Sequence, residues 1–314
     1  MALHPVVDAI MQAMHDANIP AFSECSPAEA RAALEAMRST GPPRQIPPLA
    51  DIRDFRVPGN PSVPVRAYSP GGTVEGAIVY MHGGGWVTGD LETSHPPAAT
   101  LAAASHCRVL SVDYRLAPEH PFPAALDDVM QVIGWAAAQG GPVLVAGDSS
   151  GGNLAAAATL RARAAGGPAI AGQILIYPAL DPAMVSDSHR ENSALNYILT
   201  TEDMRWFWNH YAGAVAHKDM LAAPALAAAL EGLPPAFVAV ASHDVLRDEG
   251  IAYADRLRAA GVDTETHLYE GMVHGFVAFL GLVDTADHAL REMAAWARSV
   301  ARRAASTTVG DSFA

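Results

Sequence analysis

The sequence predicts an α/β fold in which a mostly parallel sheet of eight strands is flanked by helices. Short runs of strand-forming residues alternate with alanine-rich helical stretches along most of the 314 residues. Half of the residues are hydrophobic and only 17% are charged, so the chain has enough apolar surface for a sizeable core. Its length fits one large core that carries an insertion.

The strands are predicted from short apolar segments that end in glycine, proline or polar turns. They are Ile52 to Val57, Val63 to Tyr68, Ala77 to Met81, Arg108 to Val112, Val143 to Ala146, Gln173 to Tyr177, Phe237 to Ala241 and Thr264 to Tyr269. The first two are expected to form an antiparallel pair at one edge of the sheet.

Helical stretches separate these strands. They cover residues 94–105, 122–138, 151–165, 248–260 and 285–303. The last one carries an apolar stripe at helical spacing between Ala286 and Val300, which we expect to pack on the sheet.

Two segments interrupt the alternation of strands and helices. The first 50 residues predict helices at 6–17 and 27–38, followed by the proline-rich linker GPPRQIPP. In the second segment, residues 182–230, Thr200 and Asp203 have the spacing of a capping box, and the helix that follows is expected to carry Met204, Phe207, Trp208 and Tyr211 on one face. The predicted division is residues 1–50 as the N-terminal part of a helical cap and linker, 51–181 and 231–304 as the core, 182–230 as the cap insertion, and 305–314 as a disordered tail.

The formal net charge of −13 disfavours nucleic-acid and anionic membrane partners. The first residues have no basic region typical of a signal peptide, and no run of 18 apolar residues predicts a membrane span, which together predict a cytoplasmic protein. Cys25 and Cys107 are the only cysteines, and they are interpreted as reduced thiols, not as a disulfide framework or a metal site. We expect a monomer or a homodimer.

The segment VLVAGDSSGGNLAAAATL, residues 143–160, predicts a strand, a tight turn and a helix. Its G-x-S-x-G pattern is typical of a nucleophile elbow, in which flanking glycines allow a sharp turn that exposes Ser149 at the start of a helix. The alternative is an ordinary connection in which Ser149 only caps the helix. A second motif, HGGGW at 82–86, follows a strand and is the rarer pattern by composition.

A serine nucleophile needs a base and an orienting carboxylate. In proteins with a nucleophile elbow these follow the serine along the chain in the order acid, then histidine. Asp244 follows the strand that ends at Ala241, and His274 lies in a glycine-flanked loop after the last strand. Asp248 and Glu249 compete as the acid, but they lie at the expected start of a helix, where acidic residues commonly serve the helix dipole.

Five motifs in this order resemble the bacterial hormone-sensitive-lipase-like esterases, which have the α/β-hydrolase fold. They are HGGGW (82–86), DYRLAPEHPFPAALDD (113–128), GDSSGGNLA (147–155), SHDVLRDEG (242–250) and GMVHGF (271–276). The resemblance covers nearly the whole chain. This sequence departs from the family pattern at Ser150, where alanine is common, and at Val245, where proline is common.

The resemblance implies hydrolysis of short- to medium-chain carboxylic esters, with neither a cofactor nor a metal. It places Ser149, Asp244 and His274 in the catalytic triad. The oxyanion hole would be formed by backbone N–H groups of Gly83, Gly84, Gly85 and Ser150, with Gly84 favoured among the glycines. The aromatic residues expected to limit the substrate pocket are Trp86, Tyr197, Trp208 and Tyr211.

Three further expectations concern supporting residues. Glu119 and His120 are interpreted as hydrogen-bonding residues that brace the elbow, and His82 as a support of the glycine loop. We also expect replacement of Thr88 to leave turnover intact, unlike replacement of Gly84. Two alternative functions stay open at this point: an amidase or peptidase that uses the same triad, and a hydrolase fold that only binds a small molecule.

Overall fold

A computed structural model of the chain describes residues 2–40 and 46–310. Its sheet has eight strands, which confirms the predicted fold class. They are β1 (Asp51–Val57), β2 (Val63–Ser69), β3 (Ala77–Met81), β4 (Arg108–Val112), β5 (Val143–Asp148), β6 (Gly172–Ile176), β7 (Ala236–His243) and β8 (Thr264–Val273).

The strand order in the sheet is β1-β2-β4-β3-β5-β6-β7-β8. As expected, β1 pairs antiparallel with β2, which in turn pairs antiparallel with β4. All other pairs, from β4 and β3 to β7 and β8, are parallel. The loops that follow β3, β5, β7 and β8 therefore emerge at the same edge of the sheet.

Nine α-helices occur within residues 2–40 and 46–310. They are α1 (Pro5–Asp16), α2 (Pro27–Thr40), α3 (His95–Ser105), α4 (Ala124–Ala138), α5 (Ser150–Ala165), α6 (Asp187–Ser193), α7 (Thr201–Tyr211), α8 (Arg247–Ala259) and α9 (Asp284–Gly310). None of the helices in these two ranges is both long and apolar enough to cross a membrane.

Alternating residues of the central strands divide the core into two apolar layers, as the period of a β-strand requires. Val79 and Val145 belong to the layer that contains residues of α4, α5 and α8. Their neighbours Ile78 and Leu144 belong to the layer that contains residues of α3 and α9. Helices on both faces bury a parallel sheet completely, which accounts for the apolar runs in these strands.

The chain termini differ in part from their expected roles. Helix α1 packs against the core, where Val7 is fully buried and the N–H of His4 donates to the Gly271 carbonyl at the end of β8. At the other end, α9 continues to Gly310, so the first residues of the expected disordered tail are helical. Residues 311–314 of that tail and 41–45 of the proline-rich linker lie outside the described residues.

Candidate active site

Ser149 lies between the last residue of β5 and the first residue of α5. Its backbone is strained, with φ 56° and ψ −118°, and is held by a hydrogen bond from its N–H to the Ile176 carbonyl (2.8 Å). A Cβ at Gly147 would clash with the Gly151 carbonyl, and a Cβ at Gly151 would clash with that of Met81. The two glycines are therefore required by close backbone contacts around the turn.

Three side chains from separate loops form a hydrogen-bonded series at this turn. His274 Nε2 lies 2.9 Å from Ser149 Oγ, and His274 Nδ1 lies 2.8 Å from Asp244 Oδ2. Ser149, Asp244 and His274 are at most 8% exposed. A base that contacts a hydroxyl on one side and a carboxylate on the other is the arrangement needed to activate a serine.

The two competing carboxylates have other partners. Asp248 pairs with Arg247 and accepts a hydrogen bond from the Ser188 N–H (2.7 Å). Glu249 accepts a hydrogen bond from the Leu180 N–H (2.6 Å), and burial raises the pKa of its carboxyl group. Only Asp244 of the three is hydrogen-bonded to His274 among the residues described.

The HGGGW loop follows β3 and lies beside the elbow. Gly84 has φ 118°, and a Cβ there would clash with the Thr88 carbonyl oxygen. The Gly84 carbonyl accepts hydrogen bonds from the Thr88 N–H (2.9 Å) and Thr88 Oγ1 (3.0 Å). Thr88 is fully buried and supports this turn. That its replacement spares turnover stays a prediction.

His82 supports the same loop through hydrogen bonds, as its sequence position suggested. Burial lowers the pKa of its imidazole to about 4, so the ring is neutral at neutral pH. Its Nδ1–H donates to the Gly83 carbonyl (2.7 Å), and the Tyr114 hydroxyl donates to the carbonyl of His82 (2.8 Å). The Gly83 carbonyl and the Gly84 N–H belong to one trans peptide, in which the C=O and N–H point in opposite directions. The hydrogen bond from His82 to the Gly83 carbonyl therefore turns the Gly84 N–H away from His82.

Asp148, the residue before Ser149, links the elbow to the glycine loop. Its half-buried carboxylate accepts a hydrogen bond from the Tyr80 hydroxyl (2.8 Å). Burial raises the pKa of this carboxyl group, and interactions with Tyr80, His274 and the Gly83 backbone oppose that rise. The Gly83 backbone lies against this carboxylate, since a Cβ on Gly83 would clash with Asp148 Oδ2. The sequence analysis did not anticipate this contact.

Three of the four expected pocket residues, Trp86, Trp208 and Tyr211, lie where the inserted segment meets the HGGGW loop. The Trp86 ring stacks on Tyr211 with centroids 4.2 Å apart and also contacts Trp208 at 4.5 Å. These three side chains are at most 3% exposed, so they join the loop to α7. Tyr197 is half-buried and lies near the His243 ring, with centroids 6.3 Å apart.

Phe207 of α7 was expected on the apolar face of its helix but was not assigned to the site. Its ring lies directly against Gly85, where a Cβ would clash with it, and its centroid is 5.1 Å from that of Phe22. The Thr200–Asp203 capping box at the start of α7 is present, as predicted. Helical periodicity identified this face, but nothing in the sequence indicates that it packs on the glycine loop.

The expected role of Glu119 and His120 is wrong. Both are exposed, and the Glu119 carboxylate pairs with Arg31 of α2 at 2.7 Å. Arg31 also donates to the carbonyls of Val87 (2.8 Å) and Ala117 (2.9 Å). Arg31 and Glu119 thus attach α2 to the end of the HGGGW loop, and neither Glu119 nor His120 braces the elbow.

Comparison with known proteins places this site in a family. A family model described as "alpha/beta hydrolase fold" matches residues 78–278. Carboxylesterase NlhH of Mycobacterium tuberculosis is 38% identical over 94% of this chain and 97% of its own length. Ethyl acetate hydrolase of Pseudomonas putida is 32% identical over 73% of this chain and 76% of its own length.

Solved structures agree with these sequence relatives. A thermostable esterase from Pseudomonas putida superimposes with a TM-score of 0.90 and 31% identity, covering 95% of this chain and 97% of its own. A hyperthermophilic esterase from Pyrobaculum calidifontis gives a TM-score of 0.87 and 34% identity, covering 96% of this chain and 100% of its own. With this fold, these motifs and these relatives, the chain belongs to the α/β-hydrolase family, in the group of hormone-sensitive-lipase-like esterases.

Proposed function

We propose that this protein is a serine carboxylesterase that hydrolyses short- to medium-chain carboxylic esters through an acyl-enzyme. The observation that carries the proposal is the series of two hydrogen bonds from Ser149 through His274 to Asp244. The relatives described above, which include a carboxylesterase and an ethyl acetate hydrolase, support ester hydrolysis.

In the first half-reaction, Ser149 Oγ attacks the ester carbonyl carbon while His274 Nε2 takes its proton. Asp244 holds the ring with Nδ1 protonated and stabilises the imidazolium that forms. When the tetrahedral intermediate collapses, the bond to the alcohol oxygen breaks and the leaving alkoxide takes the proton from His274. Water then repeats the attack on the acyl-enzyme, releasing the acid and restoring Ser149.

The oxyanion that forms in each step needs preorganised N–H donors. We assign this role to the backbone N–H groups of Gly84, Gly85 and Ser150. Ser150 is the first residue of α5, where helical N–H groups have no partner within the helix. Gly83 was also predicted as a donor, but we assign its N–H to Asp148 because the Gly83 backbone lies against that carboxylate.

The acyl group is proposed to lie beside the glycine loop and under the cap, which we define as residues 22–40 together with residues 182–230. The two parts are joined by the contact of Phe22 with Phe207 and by the Ser23 N–H, which donates to Asp203 (2.9 Å). Trp86, Tyr197, Trp208, Tyr211 and Phe207 are the aromatic residues that would limit the acyl chain. Helix α1 is assigned to the core because of its contact with β8.

We further propose a cytoplasmic enzyme that acts as a monomer or homodimer on a dissolved small ester, with neither nucleic acid nor membrane as a partner. The acidic net charge and two free cysteines support this assignment. Cell fractionation and the mass of the purified protein in solution test the compartment and the oligomeric state.

The substrate class is tested with p-nitrophenyl esters of two to twelve acyl carbons, assayed beside the matching p-nitroanilides. We expect kcat/KM to be highest between the acetyl and octanoyl esters and to be far lower for every anilide. Faster cleavage of the anilides would establish an amidase instead. Binding of esters without release of p-nitrophenol would establish a small-molecule binding protein.

A further inference from the structure

Helix α6 of the cap contacts the backbone of the loop that carries Asp244. Asn192 Nδ2 donates a hydrogen bond to the Asp244 carbonyl (3.1 Å), and Ser188 Oγ donates one to the Val245 carbonyl (2.7 Å). Both side chains are buried, with Ser188 at 0% and Asn192 at 5% exposure. One short helix therefore binds two successive carbonyls of the loop.

These bonds restrain the backbone of the loop that carries the Asp244 carboxylate. The two carbonyls belong to consecutive peptide planes, so fixing both restricts ψ of Asp244 and both backbone dihedrals of Val245. Within the loop, the Leu246 N–H donates to Asp244 Oδ1 (2.9 Å), which orients the carboxylate from the other side. A proline at position 245 would fix φ of this residue by itself, whereas valine allows a wider range of φ.

Helix α6 is itself anchored to the core beside the acid loop. The Ser188 N–H donates to Asp248 Oδ2 (2.7 Å), and the Asp248 N–H donates to Ser188 Oγ (3.3 Å). His189 Nε2 lies 3.4 Å from the buried carboxylate of Glu249, which also accepts from the Leu180 N–H (2.6 Å). The helix is thus a fixed platform for the two contacts with the loop.

We propose that Ser188 and Asn192 are positioning residues that hold the acid loop so that the Asp244 carboxylate stays aligned with His274. The cap then has a second role beside covering the substrate, because α6 sets the geometry of the triad. This inference rests on the proposed role of Asp244 in catalysis.

The test is a double-mutant cycle with Asp244 itself. Ser188→Ala/Asn192→Ala is made in the native chain and in the Asp244→Ala variant, and kcat and KM for p-nitrophenyl butyrate are measured. In the native chain we expect kcat to fall about tenfold with KM changed less than about twofold, since a small misalignment slows the reaction more than it weakens binding. In the Asp244→Ala background the same pair should change kcat by less than about twofold, because its target is already gone.

Arg190→Ala is the matched control on the same helix. Its side chain is largely exposed and donates to the Val185 carbonyl (2.6 Å), within the cap. It should leave kcat unchanged in both backgrounds. If the double variant does not fold, Ser188→Ala removes a single oxygen and should lower kcat about threefold in the native chain only.

Equal losses in the two backgrounds, a change confined to KM, or no loss in the native chain would overturn the inference while leaving the proposed function standing. Native activity of Asp244→Ala would instead overturn the proposed function, and this inference with it.

Discussion

The sheet and the cap place residues around Ser149 in different ways. In the sheet, each of the three hydrogen-bonded residues directly follows a strand: Ser149 follows β5, Asp244 follows β7 and His274 follows β8. Parallel strands with fixed register bring these strand ends to one edge. The cap contributes no strand to this sheet, and its helix α6 contacts the loop that carries Asp244 through single side chains that bind backbone carbonyls, those of Ser188 and Asn192.

From this difference we infer that backbone pairing positions the proposed reacting groups, whereas side-chain contacts from the cap adjust them. Changes at the strand ends should therefore remove activity, and changes at cap contacts should have smaller effects.

The largest effect is expected at the strand end that carries the nucleophile. Ser149→Ala should lower kcat for p-nitrophenyl butyrate by roughly 10⁶-fold, because no other group can form the acyl-enzyme. Ser39→Ala, which changes an exposed serine of α2, is the control and should retain native kcat. An activity of Ser149→Ala within tenfold of native would contradict the comparison at its most important point.

The glycine loop after β3 should rank second. Gly84 has φ 118°, and the Cβ of Gly84→Ala would clash with the Thr88 carbonyl, so the loop must shift. The N–H groups proposed for the oxyanion hole would then no longer point at the oxyanion. We expect kcat to fall about 10² to 10³-fold. Gly134→Ala is the matched glycine control, since a Cβ in the middle of α4 meets open space. Similar kinetics for the two variants would show that the loop does not serve the transition state.

His82 should give the core a distinct pH dependence of stability. Its pKa is about 4 in the folded protein against an ordinary value of 6.5, so the unfolded chain binds more protons between these values. The stability contribution is complete above pH 6.5 and is lost as the pH falls towards 4, by roughly 3 kcal/mol. Urea unfolding of native protein and His82→Asn across this range should show a steeper loss for the native chain; parallel curves would contradict it.

The smallest effect is expected where α2 meets the loop. Arg31→Ala removes hydrogen bonds to the carbonyls of Val87 and Ala117 and the pair with Glu119. Because this arginine is about one-third exposed, we expect a loss of only about 1 kcal/mol in unfolding free energy and a kcat within about twofold of native. Arg205→Ala, which breaks an exposed pair within α7, is the control. A hundredfold loss of kcat for Arg31→Ala would show that changes at cap contacts affect activity as strongly as changes at the strand ends.

The sequence predicts the residues at the strand ends but not the side-chain contacts of the cap. Apolar strand runs and glycine motifs are local signals, and they located the strands and the order of Ser149, Asp244 and His274 along the chain. The contact of Ser188 with Val245 joins residues 57 positions apart, with no periodicity to indicate it. Glu119 shows the same limit, since its motif suggested the elbow and its partner is Arg31 on a distant helix.

The most direct test of the central claim, that His274 and Asp244 activate Ser149, is covalent labelling with a fluorophosphonate followed by mass spectrometry of the peptides. The account predicts one phosphonyl group per chain, located on Ser149, with labelling slowed strongly in His274→Ala and Asp244→Ala. An adduct on another residue, or undiminished labelling of those two variants, would contradict it.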